Sequence, residues 1–267
     1  LYLTGGIRKL GRVDHKDTHL DYDNQEKDRG ITIFSKQARF NYLDTQFTLI
    51  DTPGHSDFSA EMERTLQILD YAIVVINGMD GIQSHSETIW KLLNHYNIPT
   101  FLFINKMDQE GADKSKILDE LHKRLDGACV DFSQDKNSDV FQESIAMCDE
   151  SLLEKYLEGE EIEAEDIQGL IRDRKVFPCY FGSALRMEGV ETFLDEFDKY
   201  TLAKAYPNDF GAKVYKISRD KQGTRLTHVK ITGGSLKVKS MWKDEKIDQM
   251  RIYSGNAYEM LSEIEAR

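Results

Sequence analysis

Phe47-Thr48-Leu49-Ile50-Asp51-Thr52-Pro53-Gly54-His55 reads as an apolar strand that runs into an Asp-x-x-Gly turn and delivers a histidine just beyond it. A buried strand ending in Asp is a common way to hold a carboxylate near a metal at the C-terminal edge of a parallel sheet, where ligands of open α/β folds bind. Taken alone the tetrapeptide is equally a plain turn, since Pro and Gly are the usual turn residues. Two later stretches give it weight: Asn105-Lys106-Met107-Asp108 and Gly182-Ser183-Ala184-Leu185 follow in the right order, and each closes an apolar run.

Outward from that strand, Ala38 to Leu43 reads as its hairpin partner, turning at Asp44-Thr45. Phe58, Met62, Leu66 and Leu69 have helical spacing, and Ala72 to Ile76 is the next strand. Ser84 to His95 reads as a helix with Ser84 as N-cap and Glu87 completing a capping box. Thr100 to Ile104 is a third apolar strand, and Val176 to Phe181 resumes the sheet, with Pro178 pointing to an edge position. Val190 to Tyr200 supplies a last helix. Continuous apolar strands alternating with amphipathic helices predict an α/β fold with a parallel sheet covered on both faces.

Between about 109 and 175 the pattern turns helical and acidic and reads as a solvated helical insertion. Beyond Pro207 short alternating strands separated by Gly233-Gly234 and Ser254-Gly255-Asn256 read as part of a small β-barrel. The expected division is therefore 1–205 and 206–267. Leu1 to Gly6 looks like a helix end closed by glycine, and Arg8 to Gly30 like a long polar loop. Leu1 opens the chain in place of Met, and Ser262 to Arg267 stops without a boundary signal, so the chain reads as a fragment.

With 267 residues there is room for two domains, and 47 Asp and Glu against 35 Lys and Arg disfavour non-specific binding to DNA by bulk charge. Cys129, Cys148 and Cys179 are scattered without metal-ligand spacing and read as reduced thiols in a cytoplasmic protein. No apolar run approaches the ~18 residues of a membrane span, so no membrane partner is expected.

The chemistry these residues could carry is that of a nucleotide site. Asp51 would hold Mg²⁺, through water, because Mg²⁺ dehydrates reluctantly. Gly54 has no side chain and can bring its backbone N–H against a terminal phosphate, and the Thr32 hydroxyl could reach the same metal, so that its loop orders with the γ-phosphate. His55 could position an attacking water. Asp108 can accept two hydrogen bonds from the N1–H and amine of guanine, a pair adenine does not offer. Asn105 and the stem of Lys106 would brace the loop and cover the base, and the Ala184 N–H would meet the guanine carbonyl.

Arg29-Gly30-Ile31-Thr32-Ile33, Asp51 to His55, Asn105 to Asp108 and Ser183-Ala184-Leu185 resemble the switch and guanine-recognition motifs of translational GTPases. The nearest branch is similar to elongation factor G and the tetracycline-resistance ribosomal protection proteins. Lys230 to Leu236 and Arg251 to Gly255 resemble the β-barrel second domain of that branch. The resemblance implies GTP and Mg²⁺ as ligands, the ribosome as partner and a monomeric, cytoplasmic protein. It places functional roles on Thr32, Asp51, Gly54, His55, Asn105, Lys106, Asp108 and Ser183 to Leu185, with Ile31 fencing His55 from the water.

The departure is the phosphate loop: Gly-x-x-x-x-Gly-Lys-Ser/Thr is absent from these residues. The resemblance places that loop, and a strand lying mid-sheet, ahead of Leu1. The expectation is a G domain incomplete at its N-terminus, with one sheet containing both Phe47 to Ile50 and Phe101 to Ile104, and with hydrolysis belonging to the intact protein. Two alternatives stand beside it. One is a degenerate, non-hydrolysing guanine-nucleotide or protein-binding module; the other is a Mg²⁺-dependent phosphohydrolase, which would have no use for Asn105 and Asp108.

Overall fold

The computed structural model describes residues 1–5, 7, 26, 31–220, 222–255 and 257–266. The expected polar loop from Arg8 to Gly30 lies outside the described residues except for Glu26. The chain divides into two compact units: Leu1–Ile68 together with Ala203–Arg267, and Leu69–Leu202.

In the first unit, β1 (Lys36–Tyr42) pairs antiparallel with β2 (Thr45–Asp51), in a register that sets Lys36 opposite Asp51 and Tyr42 opposite Thr45. The turn is thus Leu43 and Asp44, one residue earlier than the sequence suggests. A 3₁₀ turn at Ser56–Phe58 leads into α1 (Ser59–Leu66), which buries Met62, Thr65 and Leu66. Leu69 falls beyond the helix, and Ile68 is buried instead.

The second unit holds a parallel sheet of β3 (Ala72–Asn77), β4 (Thr100–Asn105), β5 (Cys129–Asp131) and β6 (Phe177–Phe181), in the order β3-β4-β6-β5. The helices are α2 (Ser84–His95), α3 (Lys114–Arg124), α4 (Asp139–Ala146), α5 (Glu150–Leu157), α6 (Ala164–Arg172) and α7 (Val190–Tyr200). Side chains of β4 alternate between two cores, as the period of two requires. Phe101 and Phe103 face a cluster with Phe132, Phe141, Ile171 and Phe193, whereas Leu102 and Ile104 face Ile76, Trp90, Ile117 and Leu121. The α/β layering read from sequence is therefore present.

Four details differ from expectation. Phe47 to Ile50 and Phe101 to Ile104 do not share a sheet: β2 pairs with β1, and no pairing among the described residues joins that hairpin to β3-β4-β6-β5. Strands join only through a neighbouring backbone, and the neighbour β2 has among the described residues is β1, paired from Lys36–Asp51 to Tyr42–Thr45. Second, Pro178 is in β6, which is interior to the sheet. Phe177 and Cys179 bond toward β5, which turns Pro178 toward β4, where pairing starts only at Leu102 and Cys179, so its missing N–H breaks no ladder bond. Third, the N-cap of α2 is Gln83, without a side-chain cap bond, and Ser84 is already helical. Fourth, the acidic insertion is not purely helical, because Cys129–Asp131 forms β5 at the sheet edge. The insertion is pinned by Asp149, which caps α5 through the amides of Ser151 and Leu152. Lys175 bonds the same carboxylate and holds it down at about 2.

After Ala203 the first unit resumes with the long hairpin β7 (Gly211–Arg219) and β8 (Arg225–Gly233). Then come β9 (Ser235–Lys237), β10 (Met241–Trp242), β11 (Glu245–Lys246), β12 (Met250–Ser254), β13 (Ala257–Leu261) and β14 (Glu263–Glu265). The described residues form the antiparallel ladders β7-β8, β9-β14, β10-β11 and β12-β13. The region is β-rich as expected, without a closed ladder among the described residues.

The two cores predict where truncation is felt. Phe101, with no exposed surface, stacks edge-on against Phe197 at 4.8 Å, so Phe101→Ala should cost about 3–5 kcal/mol. Val75→Thr, at a position 62% exposed, should stay within about 0.5 kcal/mol. Urea denaturation of the 267-residue chain carrying each change reads both values directly.

Candidate functional site

The C-terminal ends of β4 and β6 bring one group of candidate residues together. Asn105 closes β4 opposite Asn77 of β3, and its backbone carbonyl accepts from the Gly78 amide at 2.8 Å. Its side-chain Oδ1 accepts from two amides, its neighbour Lys106 and Ala184 in the loop after β6, each at 2.8 Å. Lys106 takes a left-handed φ of 65°, which turns the chain sharply and sends the Met107 amide to the Gly182 carbonyl at 3.0 Å. One carboxamide thus ties together two loops 79 residues apart in sequence.

Gly182 is where the second loop leaves β6. A Cβ there would lie 2.2 Å from the Glu188 carbonyl oxygen and 3.0 Å from the Phe103 ring, so only glycine admits this close backbone approach. The loop returns on itself through the two hydrogen bonds that Ser183 and Glu188 exchange, each 3.0 Å. Ser183 is fully buried, whereas Ala184 and Leu185 are exposed.

Asp108 faces this loop. A hydrogen bond from Ser183, and then the nearby Arg186 guanidinium, hold its carboxyl below the usual carboxylate range against the opposing effect of burial. Arg186 Nε lies 3.1 Å from Asp108 Oδ2. Sequence reading overlooked Arg186; its one cue is a position two residues past Ala184, on the loop that Asn105 anchors. The structure therefore brings Asn105, Lys106, Asp108, Ser183 and Ala184 together. The Ala184 N–H, expected to meet a base, is engaged here by Asn105.

The first unit carries the second group. The register of β1 and β2 sets Asp51 opposite Lys36, and Thr32 stands four residues before Lys36 in the chain. Glu26 is buried there and accepts from the amides of Ile33 (2.9 Å) and Phe34 (3.0 Å) while pairing with Lys36. The Gly54 position is open, since a Cβ would meet nothing within 4 Å. Packing among the described residues therefore does not require glycine at this position. His55 starts the 3₁₀ turn: its Nδ1 accepts from the Asp57 amide at 3.3 Å and lies 3.5 Å from Asp57 Oδ2. In the neutral ring that leaves the proton on Nε2, directed away from the turn.

No group of three or more His, Cys, Asp or Glu among the described residues could hold a metal alone. A hydroxyl at Thr32 and a carboxylate at Asp51 are hard oxygen donors that suit Mg²⁺, which usually keeps water and phosphate in its other positions.

Residues 1–203 match the family model described as the elongation factor Tu GTP-binding domain. The chain is 34% identical over 263 residues to the tetracycline resistance protein TetP of Clostridium perfringens, covering 90% of this chain and 40% of that protein. It thus spans about two fifths of the length of that relative. A crystal structure from Thermus thermophilus superposes on the whole chain with a TM-score of 0.86 at 23% identity, covering 48% of that chain; at that identity the likeness speaks for the fold.

The glycine at the root of the second loop gives a direct test of this geometry. Gly182→Ala must push the Glu188 carbonyl away and open the Ser183–Glu188 pairing, at about 1–3 kcal/mol. A matched drop in denaturation midpoint and faster amide exchange at Ser183 are expected.

Proposed function

The chain belongs to the family of the elongation factor Tu GTP-binding domain, and we propose that it is the nucleotide-binding part of a translational GTPase of the elongation factor G and ribosomal-protection branch. What supports this reading most is one observation: Asn105 and Asp108 at the end of β4 both engage the loop that follows β6, Asn105 through the Ala184 amide and Asp108 through Arg186. A surface turn would have no need of that convergence.

In this reading Asp108 accepts the two N–H groups of guanine, the stem of Lys106 covers the base, and Ser183 to Leu185 close the pocket. Arg186, 59% exposed at its side chain, can move aside as the base enters. Mg²⁺, when bound, supplies charge neutralisation for the phosphates. Thr32 and, through water, Asp51 would hold it with oxygen donors, the Gly54 N–H would meet the terminal phosphate, and His55 would orient the attacking water. The first 205 residues form the G domain, with 109–175 as its insertion, and 206–267 begin the second domain.

Hydrolysis is assigned to the intact protein on the ribosome, because these residues contain no Gly-x-x-x-x-Gly-Lys-Ser/Thr loop to cradle the phosphates. Kinship with TetP favours tetracycline protection as the cellular role. Growth of a sensitive strain carrying the full-length gene, with and without the drug, separates protection from a general role in elongation.

Two substitutions in the full-length protein test the site. Asp108→Asn should shift preference from guanine toward xanthine nucleotides, since an amide donates where the carboxylate accepted; competition binding with the two nucleotides measures it, and an unchanged preference removes Asp108 from base reading. His55→Ala should keep GTP affinity but lose about 10²-fold or more in ribosome-stimulated single-turnover hydrolysis. Thr32→Ala should differ by also weakening the ordered loop.

A further inference from the structure

Strands β7 and β8 carry three lysines that leave the β-rich region and end on α1 or on the segment after Thr32. Lys213 and Lys230 are directly opposite each other across the ladder. Like charges in that relation repel. Here each ammonium group has found a carbonyl just past the end of α1: Lys213 Nζ donates to Gln67 O at 3.2 Å and Lys230 Nζ to Ile68 O at 2.9 Å. Cations at a helix C-terminus complement the partial negative charge of its last carbonyls, so the repulsion across the hairpin is balanced by a shared target.

Lys216, three residues along β7 from Lys213, reaches the other end of the same helix. Its Nζ donates to Glu61 Oε1 at 2.6 Å and to the Ser35 carbonyl at 3.1 Å, and it lies 5.7 Å from the centre of the Phe34 ring. Lys216 and Glu61 side chains are each only 16% exposed. The same Glu61 oxygen accepts from the Ser35 amide at 3.2 Å, and Ser35 Oγ and Thr65 Oγ1 of α1 are 2.8 Å apart. Burial would favour a neutral Glu61, but Lys216 and the Ser35 amide outweigh it and hold the carboxyl below its ordinary range.

Three successive amides after Thr32 therefore end on carboxylates: Ile33 and Phe34 on Glu26, and Ser35 on Glu61. Glu61 lies on the helix that begins just past His55, and its own position is held from β7. We propose that the β7–β8 hairpin is a three-lysine grip through which the β-rich region sets the position of α1 and of the segment following Thr32, with Lys216 as a positioning residue for the Thr32–His55 site. The grip rests on the nucleotide-site reading above for its functional meaning. Its geometry does not: the hairpin, α1 and Ser35 belong to one compact unit. The partner it serves is this chain's own β-rich region, whose lysines fix α1 and Ser35 directly.

The test uses the full-length protein carrying this chain, with GTP and purified ribosomes. Lys216→Met keeps the aliphatic stem and removes both hydrogen bonds. It should lower ribosome-stimulated kcat about tenfold, leave GTP affinity and the ribosome-free rate within about twofold, and speed amide exchange at Ser35 about tenfold. Lys216→Arg, which keeps a cation at the site, should recover most of the loss. Wild-type stimulation and wild-type Ser35 exchange in Lys216→Met overturn the proposal, as does an equal loss of GTP affinity that Lys216→Arg fails to rescue. Should Lys216→Met not fold, Glu61→Gln removes the charge with little change of shape, and the same selective loss is expected of it. Absence of GTP hydrolysis by the wild-type protein would instead defeat the GTPase reading, and the exchange rate at Ser35 would still decide whether the grip exists.

Discussion

Strand β4 is hydrogen-bonded to a neighbour along each edge and covered on each face, and its residues from Thr100 to Ile104 are all buried. A strand held in this way can neither slide nor rotate without exposing one of two cores, because a slip by one residue exchanges Phe101 and Phe103 for Leu102 and Ile104. The position of Asn105 follows from that restraint. Two amides then donate to the Asn105 side chain, that of Lys106 at the sharp turn and that of Ala184 in the loop after β6, so both loops take their positions from this strand.

The first unit solves a different physical problem by different means. Ile33, Phe34 and Ser35 lie outside every strand ladder among the described residues, and the side-chain carboxylates of Glu26 and Glu61 accept their amides. Both carboxylates are themselves held, Glu26 buried against Lys36 and Glu61 against Lys216, so losing either set of partners would leave a buried charge unsatisfied.

How much of this was legible in the sequence depended on whether the cause was local. The apolar runs of β3, β4 and β6 and the helix at Val190–Tyr200 carry their own periodicity and were readable, as were the motifs at their ends. Cys129–Asp131 was missed because three residues carry no period, and their strand character comes from β6 alongside. Pro178 misled because the rule that confines proline to edges concerns the donor it lacks, and that donor would have faced a part of β4 where pairing has not begun. Glu26 looked like one more charge in a polar loop; its partners, Ile33, Phe34 and Lys36, reveal a buried role only in three dimensions. Lys213, Lys216 and Lys230 were equally invisible, since alternating lysines on a strand read as a solvated face until the helix they touch is known.

Strand β3 pairs with β4 alone among the described residues, and its side chains Ile73 and Val75 are 38% and 62% exposed. In any sheet a strand paired along one edge only is a template on which another strand can be laid. Natural sheets blunt such edges with lysine, proline or a bulge, and Ala72 to Ile76 contains none of these. For these 267 residues handled by themselves, what opposes edge-to-edge stacking is the excess of 12 negative charges, which keeps copies apart over a screening distance of about 10 Å at 0.1 M salt.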